Sequence, residues 1–438
     1  MGGMENRAGA ACACDPFPML RPFPAATGTS NTDYAARIAF LVELAGHLHR
    51  YGTTAQRLEG ALMAVAQKLR VECEPWSNPT GMILSFSDPE RPPGESDTTR
   101  VIRLPPGETD LYKLCEADRI AEEVMAGTIG LAEGHAALRA LDRPPGRRGI
   151  AMQVFGFGLA AAAVAGLLRL PWLDIATAGF TGLLIGLLEL ATRNRPRLKE
   201  AGDAIAALLA GFVAIAVATF VAPLNLNTVI IASLIVLLPG MTLTNAVNEL
   251  ASQQLVSGTA RFAGAITTIL KLSVGTMIAL TLAQLVGIEP QIRGSQPQPD
   301  WVEWLALVLA AYAFAVLFRA NRRDYPVVML AAVAGYLISR LAGYAWSSPV
   351  GIFLSALALT AAGNAYARWA GRPGALVRVP GIIMLVPGSA SLRGVLTLLQ
   401  QQDVAVGQDA MMGVLNILLA LIAGLLFGNL LVPTRRNL

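Results

Sequence analysis

The stretch IVLLPGMTLTNAVNELASQQLV (235–256) returns later in the chain as IMLVPGSASLRGVLTLLQQQDV (383–404), and the two together decide the fold. An ungapped pairing sets Leu237 with Leu385, Pro239 with Pro387, Gly240 with Gly388, Val247 with Val395, Leu250 with Leu398, and Gln253-Gln254 with Gln401-Gln402. Chance matching of apolar residues does not account for the Pro-Gly and Gln-Gln pairs, so the chain carries an internal repeat. Each copy sits among long apolar runs. A hydrocarbon core of about 30 Å needs about 20 apolar helical residues, and ten segments fit, near 150–169, 173–191, 203–222, 226–247, 260–287, 302–319, 325–346, 349–368, 376–395 and 408–432. Five fall in each half, 150–287 and 302–432, and an odd number forces the second half upside down relative to the first. The fold class is therefore an α-helical integral membrane protein of about ten transmembrane helices, built as two inverted five-helix repeats, an architecture of many secondary transporters.

Composition agrees with this reading. The 438 residues are 54% hydrophobic and 15% charged, with a mean hydropathy of +0.52; ordinary soluble domains do not look like this. The apolar runs begin only near residue 150. Before them, residues 1–32 read as a disordered tail and 33–142 as a soluble α+β domain, joined by a Pro/Gly/Arg linker at 143–149. Residues 33–70 give two amphipathic helices broken at Tyr51-Gly52, with Thr53 or Thr54 placed to cap the second. VECEPW, GMILSFS and TRVIRL, each bounded by turn formers, predict strands, and 109–141 returns to a helical period.

The net charge of +4 marks orientation rather than a nucleic-acid partner. With the N-terminus inside, the cytoplasmic loops carry Arg143, Arg147 and Arg148, then Arg193, Arg195, Arg197 and Lys199, then Arg319, Arg322 and Arg323, then Arg368, Arg372 and Arg378, and finally Arg435 and Arg436. The other side holds only Arg169, Arg293, Arg340 and Arg393, the asymmetry that the positive-inside rule requires. The first 30 residues lack a basic region followed by an apolar stretch, so no cleaved signal peptide is expected. The N-terminal domain is therefore expected to stay in the cytoplasm. Cys12, Cys14, Cys73 and Cys115 lack the paired spacing of a zinc site and are too few for a disulfide framework.

The Pro-Gly pairs are where chemistry is expected. Proline removes a backbone donor and glycine loosens the chain, so each pair breaks its helix at depth and frees carbonyls and amides that lipid cannot satisfy. Around the first break, Pro239 and Gly240, lie Thr242, Thr244, Asn245 and Asn248; around the second, Pro387 and Gly388, lie Ser389, Ser391 and Arg393. Such groups suit a zwitterion. The bland alternative is a proline kink satisfied by neighbouring helices. Glu249, directly after the first break, is the leading candidate for proton coupling, with Glu189 and Asp203 behind it, because ionisable groups near the bilayer are costly unless they work or are paired. Lys271 either snorkels or neutralises a carboxylate. Gly182/Gly186 and Gly424/Gly428 have GxxxG spacing and allow a homo-oligomer.

Enzymatic readings find little support. Four lysines are present, none after a glycine, so no phosphate-binding GxxxxGK[ST] loop exists. There is no GxSxG elbow, and His47 and His49, two apart, fall on different helix faces, which argues against a shared metal. No cofactor or metal is expected.

His49-Arg50-Tyr51-Gly52, followed by Thr53-Thr54, Arg57 and Glu59, resembles the signature of the bacterial threonine/serine exporter family. The resemblance continues through Asn78-Pro79-Thr80, the Ala137-Leu138 to Pro144 junction and both Pro-Gly repeats, over residues 33–432. It implies a cytoplasmic N-terminal domain, ten helices, and secondary export of threonine and serine driven by protons. Some relatives split the halves between two polypeptides and are linked to dicarboxylate export, which keeps succinate as an alternative substrate. The family's N-terminal domain is sometimes called hydrolase-like, which keeps a membrane-anchored hydrolase or sensor in view, although no complete catalytic set is present. Arg50, Tyr51, Arg57 and Glu59 serve either gating and ligand sensing or a structural ion pair and helix cap.

Overall fold

The computed structural model describes residues 31–92, 97–193, 195–294, 297–386, 388–401 and 404–433. The expected tail, 1–32, therefore lies outside the described residues except for Asn31 and Thr32, which open the first helix instead. The N-terminal region runs α1 (Asn31–Arg50), α2 (Ala55–Lys68), β1 (Glu72–Asn78), β2 (Gly81–Ser87), β3 (Thr98–Arg103), α3 (Leu111–Ala126) and α4 (Leu131–Ala140). Gly52, at φ +82°, makes the αα corner that the Tyr51-Gly52 pair announces, a conformation open to glycine at little cost. The three strands form an antiparallel meander, with Glu72 opposite Ser87 and Met82 opposite Ile102. Asn78 makes the first hairpin turn by accepting from both Thr80 N (3.0 Å) and Thr80 Oγ1 (2.9 Å). Met82, Leu84 and Phe86 alternate onto the buried face of β2, where they meet Phe40, Leu44 and Leu48 of α1 and Leu58 and Leu62 of α2. Each such side chain contributes about 1.5–3 kcal/mol on burial.

The remainder is helical: α5 (Arg147–Leu167), α6 (Trp172–Thr192), α7 (Pro196–Phe220), α8 (Leu226–Ser233), α9 (Gly240–Ala251), α10 (Leu255–Leu285), α11 (Asp300–Leu317), α12 (Tyr325–Ala345), α13 (Ser348–Ala370), α14 (Ala375–Ile383), α15 (Gly388–Gln401) and α16 (Val404–Leu431). Among the described residues nine segments are long and apolar enough to cross a bilayer, one fewer than the ten expected. The difference is the segment at 226–247. It divides into α8 and α9, of 8 and 12 residues, about 12 and 18 Å long at 1.5 Å per residue, so neither half reaches across. The element order is nonetheless the same in both halves: three helices, a pair broken at Pro-Gly, and a long last helix. Phe262, Ile266, Leu270, Val274, Ile278 and Leu282 form an exposed apolar stripe on α10, a surface that needs lipid rather than water. Gly182 and Gly186 pack on Phe157 and Val154 of α5, and Gly424 and Gly428 on α13, so both GxxxG faces are occupied inside the chain.

The N-terminal region is seated on the helices by end-to-end contacts. The first amides of α3 donate to the carbonyls that close the end of α11, Leu111 N to Phe318 O at 2.9 Å and Tyr112 N to Arg319 O at 3.3 Å. This joins the positive end of one helix to the negative end of another. The N-terminal core also runs on into Ala315, Val328 and Leu376 of α11, α12 and α14.

Candidate functional site

Glycines 240 and 388 are the first residues of α9 and α15, and they lie against each other. A methyl group added to Gly388 would stand 3.1 Å from Leu238 Cβ and 3.5 Å from Gly240 Cα; one on Gly240 would stand 2.2 Å from Val386 Cγ1. Two helix N-termini thus converge where their chains are broken, and each brings amides without intrahelical partners and a partial positive charge. Pro239 is buried at the start of α9. Pro387 lies outside the described residues. Pro380, inside α14, is a further interruption that the repeat did not announce.

Two cavities flank this crossing and share Thr109 and Met241 in their walls. The larger, about 610 Å³, is bounded by the arm Ile235–Leu238, by Thr242, and by Glu189 and Asp203 with Arg193, Lys199 and Arg319. The smaller, about 100 Å³, is bounded by Thr244, Asn245 and Asn248 of α9, by Arg378 of α14, and by Thr53 and Arg57 of the N-terminal region. The polar residues after the first break are therefore divided: Thr242 faces one cavity and Thr244, Asn245 and Asn248 the other. Ser389, Ser391 and Arg393 line neither, and Arg393 is exposed. Lys271 lies 3.7 Å from Asp203 and donates to Glu200 O at 2.8 Å.

Glu249 is fully buried, and its position joins the two parts of the molecule. It accepts from Ala55 N at 2.9 Å, from Ser257 Oγ at 2.7 Å and from Arg261 Nε at 3.0 Å. A carboxylate at the N-terminus of α2 serves as the cap that Thr54 does not supply through its side chain. Glu59 does parallel work, accepting from Ser77 N at 2.7 Å, Ser77 Oγ at 3.0 Å and Gln254 Nε2 at 2.7 Å. Both carboxylates of the α2 neighbourhood thus reach the corner between α9 and α10.

The other residues of the N-terminal motif divide between fastening and lining. Arg50 pairs with Asp142 at 2.8 Å and closes α1 onto the end of α4. Tyr51 Oη meets His47 Nδ1 at 2.7 Å, and His49 Nε2 meets Pro105 O at 3.1 Å; burial lowers both imidazoles below the usual histidine value. Tyr51, Gly52 and Arg57 line the smaller cavity. Burial also pushes the Arg57 guanidinium down to about 10. Glu43, His47 and Asp142 gather possible metal-ligand atoms within 4.8 Å, but Asp142 already pairs with Arg50, and Glu43 with His135 at 3.6 Å.

Several buried carboxylates escaped the sequence reading, Glu303 and Asp174 among them. Glu303, in the first turn of α11, accepts from Tyr336 Oη at 2.6 Å and pairs with Arg340. Asp174, in the first turn of α6, accepts from Asn225 N at 3.1 Å. An acidic residue in the first turn of an apolar helix, with an arginine 37 positions on for Glu303, was the available signal.

Comparison with known proteins follows the same division. A family model for threonine/serine exporters matches residues 39–283, and a second, "Threonine/Serine exporter, ThrE", matches 303–431. Among curated proteins the chain is similar to pheromone-regulated membrane protein 10 of Zygosaccharomyces rouxii, 25% identical over 400 residues covering 87% of this chain and 40% of that protein. The Candida glabrata protein of the same name is 23% identical over 85% of this chain and 48% of its own length. An uncharacterized Schizosaccharomyces pombe protein is 25% identical over 83% and 49%. The chain thus spans less than half the length of these yeast relatives. No solved structure gives a significant match. With matches on both sides of the loop before α11, taking in the N-terminal motif and both broken pairs, this multi-pass membrane protein belongs to the threonine/serine exporter family.

Proposed function

We propose that the chain is a secondary exporter of threonine and serine, driven by protons, in a bacterial cytoplasmic membrane with its N-terminal region inside. The observation that carries the reading is the meeting of Gly240 with Gly388 between two polar cavities. Half-helix N-termini in a transporter hold the carboxylate of a substrate, and freed backbone groups replace its water. The larger cavity is the vestibule: Thr242 and the arm before Pro239 offer polar backbone, and Glu189 and Asp203 are the proton carriers of choice because they line that cavity. Glu249 serves coupling between the halves and the N-terminal region, through its hold on Ala55. The two five-helix halves are related by an in-plane pseudo-two-fold axis, and each alternates between the conformations of the other. Transport, not hydrolysis, is the work of the chain.

A dicarboxylate such as succinate is the second reading, favoured by Arg193, Lys199 and Arg319 in the wall of the larger cavity. The test is export of labelled threonine, serine and succinate from cells with and without the protein, with and without an uncoupler. Threonine and serine efflux that depends on the protein and collapses with the uncoupler is the expected result. Efflux of succinate alone transfers the proposal to dicarboxylates, and no protein-dependent efflux of any of the three ends it.

A further inference from the structure

The smaller cavity brings together pieces far apart in the sequence: the corner from Tyr51 to Arg57, and α9, α14 and α16. Two cationic side chains, Arg57 and Arg378, line it, and no Asp, Glu or His does. Arg57 makes no hydrogen bond or ion pair among the described residues, and the only influence on its guanidinium is burial. The two carboxylates that hold α2 are engaged elsewhere, Glu249 by Arg261 and Glu59 by Ser77 and Gln254. Two buried hydroxyls in the same wall, Thr53 Oγ1 and Thr244 Oγ1, have no hydrogen-bond partner among the described residues. A half-buried cation and buried hydroxyls left without partners are costly. Together they describe the missing partner as negatively charged and rich in acceptors.

From this arrangement we infer that the cavity is a binding site for a small oxyanion, a carboxylate or inorganic phosphate, held between the N-terminal region and the membrane helices. Arg57 supplies the charge and a fork of donors suited to two oxygens. Thr53 and Thr244 donate their hydroxyl protons. In the first turn of α2 the amide of Ala55 is already taken by Glu249, and Gln56 and Arg57 bring the next amides of that helix end to the wall. Asn245 and Asn248 complete the wall from α9 with amide donors. A water molecule needs about 10–15 Å³ of such space, so a cavity of about 100 Å³ accommodates an anion of a few heavy atoms in place of several waters. Because its wall comes from both parts of the molecule, an occupant binds them to one another, and whatever binds only the docked state stabilises it.

The measurement is thermal unfolding of the full-length protein in detergent with L-threonine, succinate, inorganic phosphate or L-threoninol, which lacks the carboxylate, each against sodium chloride at equal ionic strength. At least one of the three oxyanion-bearing compounds, threonine, succinate or phosphate, is expected to raise the midpoint by a few degrees in a saturable manner, and threoninol is not. Stabilisation by threonine or succinate identifies a carboxylate of the substrate class as the occupant; stabilisation by phosphate alone identifies a free inorganic anion. Arg57→Gln is expected to remove the response while melting no lower than the parent without ligand, since it deletes an unpaired, half-buried charge. Thr244→Val, near in shape and without the hydroxyl, is expected to weaken the response several-fold, and it carries the test if Arg57→Gln does not fold. No stabilisation by threonine, succinate or phosphate, or an undiminished response in both variants, overturns the inference. Binding is read here without transport, so loss of this site and loss of export are separate results.

Discussion

At the scale of the residue, Glu249 shows how a side chain acquires a different role from its surroundings. Its place after a helix break nominated it for proton coupling, and such a residue replaced by an amide ought to leave the amount of protein unchanged. Its partners instead are Ala55 N, Ser257 Oγ and Arg261 Nε, so its charge also holds the molecule together. Removing one member of a buried pair leaves the other unpaired at a cost of about 3–5 kcal/mol. Glu249→Ala is accordingly expected to lower the unfolding midpoint and membrane abundance markedly. Arg261→Ala is expected to do nearly the same, and the double variant to be little worse than either, as residues in one network are not additive. Equal stability of Glu249→Ala and the parent would remove Glu249 from the joint.

At the scale of the element, the two broken helices are specified by steric contact as much as by proline. A Cβ on Gly240 would sit 2.2 Å from Val386 Cγ1, whereas one on Gly388 would find Leu238 Cβ at 3.1 Å. The first contact requires movement and the second only a small adjustment. Gly240→Ala is therefore expected to cost about 1–3 kcal/mol, as overpacking does, and to reduce export. Gly388→Ala should be much milder. Val386→Ala is expected to rescue Gly240→Ala, because it removes the methyl group that the new Cβ meets. Assays of export and of melting temperature on the four proteins decide this: a double variant no better than Gly240→Ala alone would mean that the glycine serves some need other than the close approach to Val386, just after α14. Pro239→Ala acts differently, restoring a donor to a chain whose break is part of the site.

At the scale of the whole molecule, the count of crossings turns on how the broken pairs are treated. Nine segments qualify by length and hydropathy among the described residues; α8 with α9 supplies the remaining passage if the two short arms cross together. The basic loops then alternate in favour of one side, and reporter fusions at Arg195 and Arg323 are expected to read cytoplasmic. A periplasmic reading at either position would break the alternation. Exposed Trp172, Trp301, Trp304 and Trp346 stand at the opposite ends of α6, α11 and α12, as interfacial aromatics do.

What the sequence alone determined are the features carried by local chemistry. Hydropathy over about 20 residues marks a spanning helix whatever surrounds it, a proline removes its amide hydrogen in any fold, and VECEPW, GMILSFS and TRVIRL are short apolar stretches that stop at turn formers, so the strands were legible to within a residue or two. The repeat was legible because Pro-Gly and Gln-Gln recur in register. Tertiary structure alone decided the rest. That Thr242 borders one cavity while Thr244 and Asn245 border another depends on which neighbours flank α9. Ala55 and Glu249 are 194 positions apart, and nothing in either stretch states that the first helix turn of one will need the carboxylate of the other. Pairing, burial and the meeting of Gly240 with Gly388 are properties of packed surfaces, fixed by shape and by the requirement that buried polar groups find partners, and a linear pattern carries neither.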